Sequence, residues 1–260
     1  MEFENAAVPR RHFCFMKAAM PDVSNAQQLE LQRLQQTIRQ AVALHAAGNL
    51  AGAEKIYRSI LDSIPVQYDA LHLLGVLRQQ EGRLEEAREL IGKALKTYPE
   101  SAEAHSNLGV VLHALERREE AVESFDRSLA LDGNDAEVHY NRGTALAELG
   151  RNEEALESYD RAVKLRPDYP RALYNRGGVL SELARFEEAL ASYERALALL
   201  PENVDLLNNR ANVLASLGRL EEAIAGYDGV LSRDPGNAQA RENRANAETA
   251  MQAARGGPSA

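Results

Sequence analysis

Small, apolar and polar positions recur along this chain every 34 residues. The stretch YNRGTALAELGRNEEALESYDRAVKLRP, Tyr140 to Pro167, returns from Tyr174 to Pro201 as YNRGGVLSELARFEEALASYERALALLP, displaced by 34 residues. Cut from residue 34, the chain falls into blocks 34–67, 68–101, 102–135, 136–169, 170–203 and 204–237, with a half block from 238 and no insertion. Within a block the apolar residues keep helical spacing on both sides of a central turn signal, so each block predicts a pair of helices, A and B.

Counting positions from the start of each block, position 8 is small: Ala41, Gly75, Gly109, Gly143, Gly177, Ala211 and, in the half block, Ala245. Position 20 is always Ala: Ala53, Ala87, Ala121, Ala155, Ala189 and Ala223. Small residues at both places let two helix backbones approach closely. Position 24 supplies the bulk that fills the flanks: Tyr57, Ile91, Phe125, Tyr159, Tyr193 and Tyr227. Position 15, where helix A must stop, is Gly48, Gly82, Gly150 and Gly218, with Glu116 and Ala184 as departures. Position 32 reads Pro65, Pro99, Gly133, Pro167, Pro201 and Pro235, which ends helix B.

These positions together resemble the tetratricopeptide repeat, over residues 34 to about 250. The resemblance implies an all-α, right-handed superhelical solenoid of helix-turn-helix repeats, with the A helices lining a concave groove. In such a stack each block buries its apolar face only against its neighbours, so the ends need caps. The expected organisation is a disordered leader over 1–23 and six repeats over 24–237. The first helix is extended N-terminally, from about Asn25 to Ala46, with Leu34, Ile38, Ala41 and Leu44 at helical spacing. A capping helix over 238–253 and a flexible tail over 254–260 follow. Arg241 and Glu248 replace apolar residues at positions 4 and 11 of the half block, so its outer face can meet water.

Composition agrees with helices and narrows the partners. Charged residues make up 27%, aromatics 5%, and there is no Trp. A net charge of -9 argues against nucleic acid, because phosphate binding needs a basic face. The single cysteine, Cys14, rules out an internal disulfide and fits a cytoplasmic location. The basic and apolar patch PRRHFCFMKAAMP is interrupted by Lys17, and no run approaches membrane-spanning length.

Arg fills position 7 in the later blocks (Arg142, Arg176, Arg210, Arg244), whereas Leu74 and Leu108 fill it earlier. Position 25 of the preceding block is Asp126, Asp160, Glu194 or Asp228 before each Arg, and Arg58 or Gly92 before each Leu. Four ion pairs between successive repeats are expected.

Two apparent catalytic signals have plainer explanations. The paired acids Glu85/Glu86, Glu119/Glu120, Glu153/Glu154, Glu187/Glu188 and Glu221/Glu222 recur in the first turn of helix B, where the helix dipole favours negative charge. Histidines 45, 72, 105, 113 and 139 lack metal-ligand spacing, since equivalent positions on successive A helices lie about 10 Å apart. There is no phosphate-binding glycine loop and no nucleophile elbow. No enzyme activity, cofactor or metal is expected.

Position 6 is the candidate binding row: Asn107, Asn141, Asn175, Asn209 and Asn243. Asn is a mediocre helix former, and the neighbouring positions 5 and 9 have drifted while position 6 has not. An amide offers the donor and acceptor of a peptide backbone, so a row of them can hold an extended chain. With about 3.3 Å per extended residue and about 10 Å between rungs, one amide meets roughly every third ligand residue. Tyr140 and Tyr174 add apolar contact beside the row, and Asn208 and Asn212 extend it.

The row is similar to the asparagine-lined repeats of the O-linked N-acetylglucosamine transferases and their bacterial relatives. The main expectation is a scaffold binding an extended segment of a partner protein. The alternative is the substrate-recruiting module of such a glycosyltransferase, acting in trans or separated from its catalytic domain. Glu103, Glu137, Asp205 and Glu242 against Arg171 disfavour acidic chaperone tails, and the acidic, weakly apolar surface disfavours a membrane.

Overall fold

The computed structural model describes residues 25–255, which hold thirteen α-helices and no strand. The leader and the tail beyond Arg255 lie outside the described residues. Ala254 and Arg255, read from the sequence as the start of the tail, continue the last helix, both being good helix formers placed before Gly256 and Gly257.

The chain forms two compact units that part after Gly133. The first contains α1 (Asn25–Ala46), α2 (Leu50–Ser63), α3 (Tyr68–Gln80), α4 (Leu84–Thr97), α5 (Ala102–Ala114) and α6 (Arg118–Leu131). The second contains α7 (Ala136–Glu148), α8 (Asn152–Leu165), α9 (Pro170–Glu182), α10 (Phe186–Leu199), α11 (Val204–Ser216), α12 (Leu220–Arg233) and α13 (Ala238–Arg255). Within each unit every helix packs on the next, and the odd-numbered A helices also touch one another, so they form a layer of their own. From the second block on, helix A begins at position 1, and every helix B begins at position 17.

The two kinds of helix start differently. At A-helix starts the Ser101 hydroxyl accepts from the Ala104 N–H at 3.1 Å, Asp135 from Val138 at 3.2 Å, and Asn203 from Leu206 at 2.9 Å. The B helices α4, α6, α8, α10 and α12 have Arg at the cap position, with no side-chain cap bond. Each of these Arg instead clasps the second of the paired acids three residues on, as Arg117 does Glu120 through two bonds of 2.6 Å. The clasp holds the carboxyls of Glu120, Glu154, Glu188 and Glu222 below their ordinary range. Every helix A of the six blocks ends on a residue with positive φ, and Glu116 (60°) and Ala184 (56°) adopt it although they are not Gly.

The position 8 and 24 pairing forms the core of each repeat. A Cβ on Gly143 would lie 2.8 Å from Tyr159 Cε1, and one on Gly109 would lie 2.6 Å from Phe125 Cε1, so the aromatic ring rests directly on the glycine. In the half block Ala245 is exposed, because no helix among the described residues occupies the place of helix B, while Ala240 and Ala247 are buried in a helix that packs on α12 and α11. Arg241 is exposed and Glu248 half-buried, paired with Arg244 at 3.0 Å.

Three of the expected ion pairs lie within the second unit and are formed: Arg176 with Asp160 at 2.6 Å, Arg210 with Glu194 at 3.2 Å and Arg244 with Asp228 at 2.5 Å. Asp126 and Arg142 belong to different units. A second partner was not foreseen: Arg142 and Arg176 also donate at 2.6 Å to Ser158 and Ser192, at position 23 of their own repeats.

Position 11 is Leu in five blocks but Arg78 in the second, and Arg78 is wholly buried. Its guanidinium pairs with Glu54 of α2 and donates to Glu81 at 2.5 Å. Burial alone would pull its pKa down; the bonds to Glu54 and Glu81 outweigh that and hold it above its ordinary value.

Candidate functional site

The asparagines of position 6 stand on the A helices, and in the second unit α7, α9, α11 and α13 carry Asn141, Asn175, Asn209 and Asn243. All four are half-buried. The amides of Asn175, Asn209 and Asn243 are tied to the chain itself. Asn175 Nδ2 donates to the hydroxyls of Tyr140 and Tyr159, both at 3.4 Å, and Asn209 Nδ2 donates to Tyr174 Oη at 3.2 Å. Asn243 Nδ2 donates to Asn212 Oδ1 at 2.9 Å, an oxygen that also accepts from Tyr227 Oη at 2.8 Å. In the first unit Asn107 Nδ2 meets Nε2 of the buried His72 at 2.9 Å.

Asn107, Asn175 and Asn209 share one partner in register: the residue 35 positions before, at position 5 of the preceding A helix. The last rung departs from it. Asn243 turns to Asn212 instead, and Asn208 Oδ1 is left buried with no hydrogen-bond partner. The signal was present in the sequence, since position 5 is His72, Tyr140, Tyr174 or Asn208, all able to hydrogen-bond.

The tyrosines differ in access. Tyr140 is 8% exposed, its ring 5.2 Å from that of Tyr169 and covered by the Arg171 guanidinium at 5.1 Å from the centroid. Tyr174 is half-buried, its ring 6.2 Å from that of Tyr193. Burial pushes the Tyr159, Tyr169 and Tyr193 hydroxyls up to about 12, so they serve as neutral hydrogen-bonding groups at any physiological pH. Asn212 and Asn243, with Asn246, Tyr227 and Ala250, line an open cleft between α11, α12 and α13.

Charge on this layer is unbalanced. Helical spacing puts positions 2, 5, 6, 9 and 13 on one face of helix A. In the second unit the exposed carboxylates there are Glu137, Glu148, Glu182, Asp205 and Glu242, against the single cation Arg171. Among the described residues no group of His, Cys, Asp and Glu is arranged to hold a metal ion, and no helix is long and apolar enough to cross a membrane.

Family models described as "TPR repeat" and "Tetratricopeptide repeat" match residues 72–136, 124–157, 143–183 and 179–238, an unbroken stretch from 72 to 238. No curated protein matches the chain. Among solved structures it is similar to YrrB, described as a TPR protein with an unusual peptide-binding site, at 22% identity and TM-score 0.68 over 72% of this chain and 97% of that one. It is similar to PilF of Pseudomonas aeruginosa at 20% identity and TM-score 0.69, over 83% and 98% of the two chains. MamA aligns at 22% identity and TM-score 0.62, over 66% and 94%.

Proposed function

The chain belongs to the tetratricopeptide repeat family, and from that premise we propose that it is a non-enzymatic scaffold, placed in the cytoplasm, whose A-helix layer holds an extended segment of a partner protein. The observation that carries this reading is the asparagine row itself. In the second unit the amides of Asn175, Asn209 and Asn243 are each fixed in place by a hydrogen bond to the repeat before, so their remaining hydrogen-bonding capacity is oriented before a ligand arrives. A row held in this way loses little side-chain freedom on binding. Each net hydrogen bond contributes about 0.5 to 1.5 kcal/mol, and ordering the peptide offsets much of several rungs, so affinity near the micromolar range is expected.

Tyr174, Asn208 and Asn212 complete the proposed contact set, while Tyr140 acts mainly by holding Asn175. YrrB, a structural neighbour described as having a peptide-binding site, supports the class of ligand. A recruiting role for a glycosyltransferase would use the same row and a separate catalytic chain, and it rests on the row's similarity alone.

The test is capture of partners from native lysate by the wild-type chain and by the triple variant Asn141→Ala, Asn175→Ala, Asn209→Ala, with helicity checked by circular dichroism. Partners held by the wild type and lost from a folded variant support the reading, and a glycosyltransferase among them selects the second form of it. Identical capture by both proteins sinks it.

A further inference from the structure

Resting on that reading, we infer that the segment bound by the second unit is basic: an extended peptide carrying several lysine or arginine side chains. Two independent features of the A-helix layer point the same way.

The first is charge. Glu137, Asp205 and Glu242 are exposed on α7, α11 and α13, and Glu148 and Glu182 stand at the other end of α7 and α9. The one cation on this face, Arg171, lies over the Tyr140 ring, so five carboxylates stand against a single guanidinium. Glu182 already accepts from Asn152 at 2.9 Å; a neutral or acidic peptide would bring no charge to offset Glu137, Asp205 and Glu242, whereas a basic one offsets them and is drawn in at long range.

The second is the polarity of the amides. Asn175 and Asn209 spend N–H groups on their own chain, so these two rungs are weighted towards their acceptor oxygens, whereas Asn243 also spends its oxygen, accepting from Gln239 Nε2 at 2.9 Å. Ammonium and guanidinium groups are donors without any acceptor, and they match a face made of carboxylates and amide oxygens. The carboxylates and the amides lie on different positions of the helix, so neither feature entails the other.

The experiment uses the full chain and three fluorescent peptides of about 15 residues, long enough at about 3.3 Å per residue to cross four rungs. All have a Gly/Ser background, with Lys, Gln or Glu at every third position. Binding is read by anisotropy for four proteins. These are the wild type, the inner reversal Glu137→Lys/Asp205→Lys/Glu242→Lys, an outer reversal of equal charge on the B helices (Glu153→Lys/Glu157→Lys/Glu187→Lys), and Asn175→Ala/Asn209→Ala.

The wild type is expected to bind the Lys peptide at least about tenfold more tightly than the Gln peptide, and the inner reversal to remove that preference while the outer reversal keeps most of it. A Lys peptide that binds no better than the Gln peptide overturns the inference, as does an outer reversal that weakens binding as much as the inner one. If the Gln and Lys peptides bind equally and both are lost in the asparagine variant, the groove stands and only its basic preference falls. If the asparagine variant binds every peptide as the wild type does, the groove reading falls with it.

Discussion

Arg176 on α9 donates to Asp160 of α8 at 2.6 Å and to Ser192 of α10 at 2.6 Å, so one side chain joins the second helix of a repeat to both helices of the next. Asp160 is 51% exposed and Arg176 18%, which places the pair between a surface contact and a buried one. A double-mutant cycle on Asp160→Ala and Arg176→Ala, measured by urea unfolding, should give a coupling of about 0.5 to 1 kcal/mol. Coupling at or below experimental error would mean that packing alone sets the repeat-to-repeat register.

Gly143 should not tolerate a methyl group. Alanine would gain about 1 kcal/mol of helix propensity, but its Cβ would meet the Tyr159 ring at 2.8 and 2.9 Å. That ring is buried and its hydroxyl is engaged by Thr144 and Asn175, so it has little room to move. Gly143→Ala is expected to lose about 1 to 3 kcal/mol net. Tyr159→Leu in the same background should restore part of the loss, a pattern that a purely backbone effect would not show.

The turns at Glu116 and Ala184 hold a left-handed backbone with side chains that disfavour it. Glu116→Gly and Ala184→Gly should each stabilise the protein by about 0.5 to 1 kcal/mol, after subtracting the entropy that Gly adds to the unfolded chain. Gly150→Ala, at the same position of another repeat with φ of 73°, should lose a similar amount. A rise in midpoint for the first two and a fall for the third, in one denaturation series, is the expected result.

The period made most of the fold readable, because position 8, position 20 and position 32 each act through size or backbone geometry that repeats with the sequence. The ion pairs were readable for the same reason: Arg at position 7 and an acid at position 25 appear and disappear together. What was hidden depends on contacts with no counterpart in the one-dimensional pattern. The asparagine row was legible as a face, but which amide hydrogens are already spent required the rotamers of Tyr140, Tyr159 and Tyr174. Tyr140 read as a ligand contact, yet Tyr169 and Arg171, from a turn and a neighbouring helix, cover its ring. Arg78 stands at a leucine position and gives no sign of its burial in the sequence, because its partner Glu54 lies on another helix 24 residues earlier, a spacing the repeat does not mark.

That buried arginine gives the sharpest test of what a repeat needs. Leu fills the equivalent place in five other blocks, so Arg78→Leu should supply a side chain that the surrounding geometry accepts, leaving stability within about 1 kcal/mol of wild type or above it. Removing the acid instead strands the charge. Glu54→Ala leaves the wholly buried Arg78 with Glu81 as its close partner and should cost about 1 to 3 kcal/mol, discounted because Glu54 is itself 25% exposed. The two variants also separate in acid. Arg78 and Arg58 hold the Glu54 carboxyl down to about 2 from an ordinary 4.5. A depressed pKa contributes stability that is complete above the unfolded value and is lost as the pH falls from 4.5 towards about 2. Wild type should therefore lose stability relative to Arg78→Leu across that window, while the difference between them stays constant between about pH 5 and pH 8. The clasped carboxylates of Glu120, Glu154, Glu188 and Glu222 have no contact with Arg78 and cancel in the comparison. Unfolding free energies measured at neutral pH and again near pH 3 decide it: a gap that does not change with pH would show that the Glu54 and Arg78 pair carries no folding energy of its own.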